Sequence, residues 1–311
     1  MAPTTAAPAA GPGTRPPDTR AYRPDRNPAG RAGYFFVSGY AVLLLAFGVL
    51  PTAYALWLSL SNSRGQLVGL GNFTRTFADY RFLEAFGHIL LYVAIWLVTL
   101  MVLVVTAALM LHGRMRRTSA VLRFLYYLPG ALAGAASVLL WLILLDPVAS
   151  PVGPLLMALG WDSLAAVVLP GHLPALFTVI AFWTGAGGWI IVMYGALNNI
   201  PAEVIEAARI DGASVLQVAL RVQLPMLRKW IAYMLILAFA AGTQLFVEPQ
   251  LVSTATLGMI PEGWSPNQLT YQYAFQAADF HGAAAIAVDL LLLGLASAAA
   301  VVFRGGLFER N

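Results

Sequence analysis

Cysteine is absent from the 311 residues, so the chain can form no disulfide, no thiolate metal site and no cysteine nucleophile. Charge is scarce as well: only 10% of residues are charged, 59% are hydrophobic, and the mean hydropathy is +0.74. A soluble core of this size would carry far more charge, so the composition excludes a water-exposed globule and requires a membrane. No Gly-x-x-x-x-Gly-Lys-Ser/Thr phosphate loop occurs, which removes that route to ATP hydrolysis. The four histidines, His88, His112, His172 and His281, have neither His-Glu-x-x-His nor His-x-His spacing. Each falls near the edge of an apolar run, where a solvated or structural imidazole is expected in place of a metal ligand. No internal repeat is evident, so inverted-repeat carriers gain no support.

Long apolar runs are what the chain has in abundance. A helical span needs roughly 20 mostly apolar residues, and six runs qualify, at about residues 34–60, 86–111, 122–145, 173–197, 230–252 and 281–303. The first holds Pro51 and is long enough to kink, tilt or project beyond the headgroups. Residues 1–33, rich in Ala, Pro, Thr, Gly and Arg, cannot build an apolar face and are expected to be a disordered tail. They are too long and too Pro-rich for a secretory signal. Residues 304–311 form a short C-terminal tail, and residues 151–161 are long enough for a helix lying in the interface, with Trp161 suited to that depth.

Fifteen of the eighteen Lys and Arg residues fall on one side of this six-span arrangement, in the two tails and in the segments after the second and fourth spans. Only Arg64, Arg75 and Arg81 fall on the other. The positive-inside rule then puts both termini and the segment 199–229 in the cytoplasm. The net charge of +4 is read as a topology signal, and nucleic acid is not expected as a partner.

That segment 199–229 carries the one polar punctuation in an otherwise apolar chain: Glu206, Ala207, Ala208, Arg209, Ile210, Asp211, Gly212 and Ala213, then Leu224 and Pro225. Pro201 suits a first helical position, Glu203 and Glu206 put negative charge near the positive helix end, and Gly212 offers the left-handed residue that stops the helix. Ser214 and Gln217 have capping-box spacing for a second helix. On that helix Val215, Val218, Ala219 and Val222 recur on one face until Pro225 ends it. Two readings of this helix-turn-helix follow: a docking surface, or a solvated loop in which Glu206 and Arg209 pair at i,i+3 spacing.

Glu206-Ala207-Ala208, Asp211-Gly212-Ala213 and Leu224-Pro225 together resemble the EAA signature of membrane subunits of bacterial ATP-binding-cassette (ABC) importers. The spacing is similar to that of the carbohydrate-uptake group that includes maltose and glycerol-phosphate permeases. Val68-Gly69-Leu70-Gly71-Asn72-Phe73 resembles that group's Val-Gly-Leu-x-Asn-Phe element, and residues 270–275 resemble the stretch before its last span. Ala219 stands where relatives often have an aromatic residue, and the Gly-Gly-Pro element is missing around residues 256–266. The resemblance implies an all-α type I importer permease with six transmembrane helices in the bacterial cytoplasmic membrane. It implies Glu206, Ala207, Ala208, Arg209, Asp211, Gly212 and Ala213 as the contact to a separate ATPase. No catalytic residue, cofactor or metal is expected in this chain, with ATP and Mg in the partner. The implied assembly adds a second, related permease chain, two ATPase copies and an extracytoplasmic binding protein delivering a sugar, oligosaccharide or polyol.

Solute contacts are sought among polar and aromatic residues stranded in apolar runs. Gln244, Glu248 and Gln250 lie in the fifth, Asp289 in the last, and Trp183, Trp189 and Tyr194 in the fourth. A carboxylate in a span is costly and faces a cavity or partner, which favours Glu248 and Asp289. Carboxylates and amides suit hydroxyl-rich solutes, and aromatic faces suit sugar C–H surfaces. No Lys or Arg lies deep within a span, which argues against this chain neutralising a phosphorylated solute. An ABC permease for another solute class and a non-transporting membrane scaffold remain the alternatives.

Overall fold

The computed structural model of the protein describes residues 28–113, 116–132 and 134–304. The two expected tails fall outside it through residue 27 and from residue 305, as does Arg114 of the basic segment after the second span. The chain divides into two units, residues 1–52 and 53–311. Over its described residues the first unit is helix, Pro28–Leu44 followed by a π-helical turn at Leu45–Val49. Pro51 has no amide to give the carbonyl of Phe47, and the π turn lies where that ladder is broken.

Four helices are long and apolar enough to cross a bilayer alone: Gly33–Leu60, Tyr80–His112, Pro170–Asn198 and Phe280–Phe303. They correspond to the first, second, fourth and last of the six runs. Six spans result when each of two sharply bent pairs is taken as one, namely Thr118–Leu132 with Ala135–Leu145 and Val215–Met226 with Arg228–Gly242.

The third and fifth runs are therefore not the single helices expected at 122–145 and 230–252, and proline explains both breaks. Pro129 cannot bond the carbonyl of Leu125, the chain tightens into a 3-10 turn at Leu128–Leu132, and Gly134 takes φ 79° before the next helix. In the fifth run the helix stops at Gly242 and restarts as Val247–Ala255. Pro249 has no amide for the carbonyl of Leu245, which accepts instead from Ser265 Oγ at 2.8 Å. Asn267 Nδ2 donates to the carbonyl of Thr243 at 3.2 Å. Buried unwound backbone needs such partners, because the surrounding apolar side chains offer none.

The core is formed where the second, fourth and fifth helices meet, around Tyr92, Val93, Trp96, Phe177, Met193 and Met234, all buried. Glycine permits the close approaches. A Cβ on Gly242 would lie 3.1 Å from Val93 and 3.3 Å from Trp96. One on Gly187 would overlap the carbonyl of Tyr126 and stand 2.7 Å from the Cα of Tyr127, so the fourth helix touches the third span backbone to backbone.

The end of the second unit that holds Asn72 and Asp79 is tied by polar contacts. Asn72 is buried and its Nδ2 donates to the carbonyls of Ser59, at 2.9 Å, and Ser61, at 2.8 Å, which caps the end of the first span. Asn72→Leu leaves both carbonyls without that donor and should lower the thermal midpoint of the purified protein by an amount equivalent to about 2 kcal/mol or more. A midpoint equal to the parent's would remove Asn72 from this role. Asp79 caps the second helix, accepting from the Arg81 amide at 3.0 Å. Its carboxylate also accepts from the Arg81 guanidinium at 2.6–3.1 Å and from Tyr273 Oη at 2.8 Å. The Arg81 bonds hold the Asp79 carboxyl down to about 2, and burial together with Asp79 pushes the Tyr273 hydroxyl up to about 12. Arg81 Nη1 reaches Gln272 at 3.1 Å, and Arg75 pairs with Asp279 at 2.7 Å. The helix from Tyr80 to His112 has 33 residues, so this knot and His112 lie about 50 Å apart.

Candidate functional site

The segment 199–229 folds as two short helices, and nearly every local signal in it is used. The first helix is Ala202–Ile210, with Pro201 one position earlier than its sequence suggested, as the N-cap. Glu203 stands in its first turn and Arg209 in its last, each at the helix end its charge favours. At the C-terminus the Ala213 amide donates to the Ala208 carbonyl and the Gly212 amide to that of Arg209, both at 3.0 Å. This is a Schellman ending, and Gly212 takes the left-handed φ of 83° that it demands. Ser214 and Gln217 form the expected capping box, with bonds of 2.7 and 3.3 Å.

The second helix differs from its expected form. Val215–Val218 runs into a π turn at Ala219–Gln223, because Pro225 gives no amide to the carbonyl of Arg221. It then continues through Leu224–Met226 and bends by 66° into Arg228–Gly242, with Leu227 fully buried at the bend. Val218 is buried and Ala219 and Val222 are half-buried, but Val215 is 83% exposed and does not share their inward face. Ile210 and Leu216 are exposed with it, at 85% and 67%. These three form an apolar tip on either side of the Asp211-Gly212 turn, which the sequence pattern did not single out. Apolar residues flanking a glycine turn that must be solvated were the available signal.

Of the expected contact residues, Glu206, Ala207, Arg209, Asp211 and Gly212 are exposed, and Ala208 and Ala213 are half-buried. Glu206 and Arg209 make no ion pair with each other; among the described residues the pairs are Arg75 with Asp279 and Arg81 with Asp79. Instead both line a groove of about 630 Å³ between the helix pair and the end of the second span, with Met110, His112, Leu216 and Gln223. The solvated-loop arrangement with Glu206 bound to Arg209 is thus not formed.

The stranded polar residues separate into groups. Gln244 is exposed in the break of the fifth run, and Glu248 is half-buried in the first turn beyond it. Gln250 accepts from Gln268 Nε2 at 3.1 Å and ties that break to the following segment. Asp289 is half-buried and its Oδ2 has no hydrogen-bond partner. Trp183 meets Trp141 edge to face at 6.0 Å, and Trp189 meets Tyr233 at 6.2 Å. Tyr194 lies at the other end of the fourth helix, under the Arg123 guanidinium at 4.2 Å and beside His112 at 6.3 Å. It therefore sits beside His112, which lines the groove, and not with Trp183. His88, His172 and His281 each hold Nδ1 at 3.1–3.2 Å from a backbone carbonyl, which fixes the proton on that nitrogen.

Residues 104–304, about two thirds of the chain, match the family described as "Binding-protein-dependent transport system inner membrane component". The chain belongs to that family. It is an inner-membrane, multi-pass permease subunit. This permease is 28% identical over 282 residues to the diacetylchitobiose uptake system permease protein NgcF of Streptomyces coelicolor, covering 83% of this chain and 78% of the relative. It is 28% identical to the multiple sugar-binding transport system permease protein MsmF of Streptococcus mutans, over 85% and 92%. It is likewise 28% identical to the sn-glycerol-3-phosphate transport system permease protein UgpA of Escherichia coli, over 84% and 89%.

The crystal structure of a bacterial ABC transporter involved in the import of the acidic polysaccharide alginate superposes on the permease with a TM-score of 0.75 at 18% identity, covering 91% of this chain and 97% of that one. The fold is thus the type I importer permease fold. A second structure, of the alginate transporter in complex with an alginate pentasaccharide-bound periplasmic protein, gives a TM-score of 0.72. In this permease the family region holds the helix pair, both sides of the fifth-span break and the last helix, whereas Asp79 and Arg81 of the polar knot precede it.

Proposed function

We propose that this chain lines half of the translocation path of an ATP-driven importer for a sugar, oligosaccharide or related polyol, and that residues 199–229 dock it to the ATPase. The exposed, doubly capped helix pair carries the proposal. A Schellman ending and a capping box make it rigid without burial, and its tip is apolar, which suits a groove in another protein. Ala207 and Ala208 allow close approach, Gly212 makes the turn, and Glu206, Arg209, Asp211 and Ala213 border the contact. A rigid pair joined through Leu227 to the fifth helix can pass a partner's movement into the membrane. The basic residues on this side support a cytoplasmic position for it and for both termini.

In this assembly a related second permease completes the path, two copies of an ATPase hydrolyse ATP with Mg, and an extracytoplasmic binding protein delivers the solute. This chain performs no covalent chemistry. The sugar transport named for NgcF and MsmF supports a carbohydrate as the solute. Gln244 and Glu248 at the break, with Asp289 and Trp183, supply the hydrogen bonds and ring face such a solute needs.

Retention of a second permease, an ATPase and a binding protein after gentle-detergent purification from native membrane is the expected result. Recovery of the chain alone, or with an unrelated regulator, would overturn the assembly. Glu248→Gln and Asp289→Asn should each change the sugar dependence of uptake about tenfold while the ATPase stays attached. Unchanged uptake would return both carboxylates to helix packing.

A further inference from the structure

We infer that the permease carries an outer contact surface for a neutral oligosaccharide, an aromatic track running from the fifth-span break to a polar pocket at the knot, a subsite that rests on the carbohydrate proposal above. Four rings follow one another: Phe246 to Tyr271 at 5.6 Å, Tyr271 to Phe275 at 5.1 Å, and Phe275 to Phe280 at 6.4 Å. Phe246 is the N-cap of Val247–Ala255, two residues after exposed Gln244 and two before Glu248, so the inner end of the track meets the proposed solute path. Tyr271, Phe275 and Phe280 are all exposed, Phe275 at 71%.

The outer end is polar. A pocket of about 270 Å³ is lined by Arg81, Gln272, Tyr273, Gln276 and Asp279, so its residues alternate in sequence with the rings of the track. Exposed Gln276 and buried Gln272 donate to exposed Glu262 at 3.5 and 3.4 Å. A row of rings that meets only lipid has no use for an adjoining amide and carboxylate. Beside a sugar chain the two chemistries divide the work: ring faces cover C–H surfaces, and the amides and carboxylate take hydroxyls.

Charge fixes the class of sugar. Arg81 is neutralised by Asp79 and Arg75 by Asp279, whereas Glu262 has only amide partners. Among the described residues that line the pocket, Arg81 is the one cation and it is already paired, so an acidic saccharide gains no partner there and meets the Glu262 carboxylate beside it. Successive rings engage successive sugar units, so the contribution of the track grows with chain length.

The test uses the intact importer, with its partner subunits and binding protein, in proteoliposomes. Chito-oligosaccharides and α-glucosides of one to four rings are supplied at saturating sugar and binding protein. Phe275→Ala should lower the maximal uptake rate of the longest sugars about two- to tenfold relative to the shortest. ATP hydrolysis without sugar should not change, and Phe275→Trp should restore the parent profile. An unchanged rate at every length, or an equal fall at every length, overturns the track and assigns Phe275 to lipid or a neighbouring subunit. If the parent importer moves none of these sugars, the neutral-oligosaccharide class falls and the track with it, whereas loss of the wider carbohydrate proposal would also require that no monosaccharide or polyol is taken up.

Discussion

Gly187→Val is expected to leave almost no correctly assembled protein in the membrane. The fourth helix crosses the third span there with no room for a Cβ, which would overlap the Tyr126 carbonyl and press on the Tyr127 Cα. Both obstacles are backbone, so a rotamer change relieves neither, and the helices must separate. Overpacking of this kind costs about 1–3 kcal/mol or more, and separating them also opens the contact that Gly130 makes with the Thr184 carbonyl. Gly188→Ala is the matched control, because a Cβ at Gly188 meets nothing within 4 Å. Size-exclusion profiles and thermal midpoints in detergent should show a collapsed yield for the first variant and a parent-like peak for the second. Indistinguishable profiles would mean that the close approach does not exist.

The second large effect concerns energy transfer, with folding preserved. Gly212→Val forces a β-branched residue to a φ of 83°, and the Schellman bonds to Ala208 and Arg209 are lost with that conformation. The variant should insert normally yet lower sugar-stimulated ATP hydrolysis of the assembled importer by tenfold or more. Gly212→Asn tolerates the left-handed region and should retain most of the stimulation. Ala207→Trp adds bulk to an exposed position and should loosen ATPase attachment without altering the turn. Full stimulation in both Gly212→Val and Ala207→Trp would remove residues 199–229 from the coupling role.

The features legible in the sequence were those set by local chemistry. Length and hydropathy were enough to mark the four unbroken spans, and the Gly212 stop and the Ser214–Gln217 box need only neighbours in the chain. The two broken spans were harder. Pro129 and Pro249 are visible as letters, but a proline in a span can kink, tilt or end a helix, and the outcome depends on who takes the freed carbonyl. For Leu245 that partner is Ser265, twenty residues away. Distance in sequence also hid the knot, since Asp79 and Tyr273 lie 194 positions apart. Tyr194 shows the converse difficulty: as an aromatic in an apolar run it is indistinguishable in sequence from Trp183, and only the packing places it under Arg123 at the far end of the helix. Val215 borders the same groove as Val218 and Ala219 but stands in the first turn of its helix, where 83% of it stays open to solvent, and that difference is not visible in the spacing.

The apolar tip formed by Ile210, Val215 and Leu216 also bears on how the protein must be produced. A copy that reaches the membrane without a partner on this face holds three large apolar side chains in water, on a turn whose caps hold its conformation. Such an orphan is a ready target for chaperones and proteases, so its lifetime becomes a measure of partner supply. Under the proposed docking to the ATPase, synthesis of the two subunits has to be matched in amount and in time, or the surplus is destroyed.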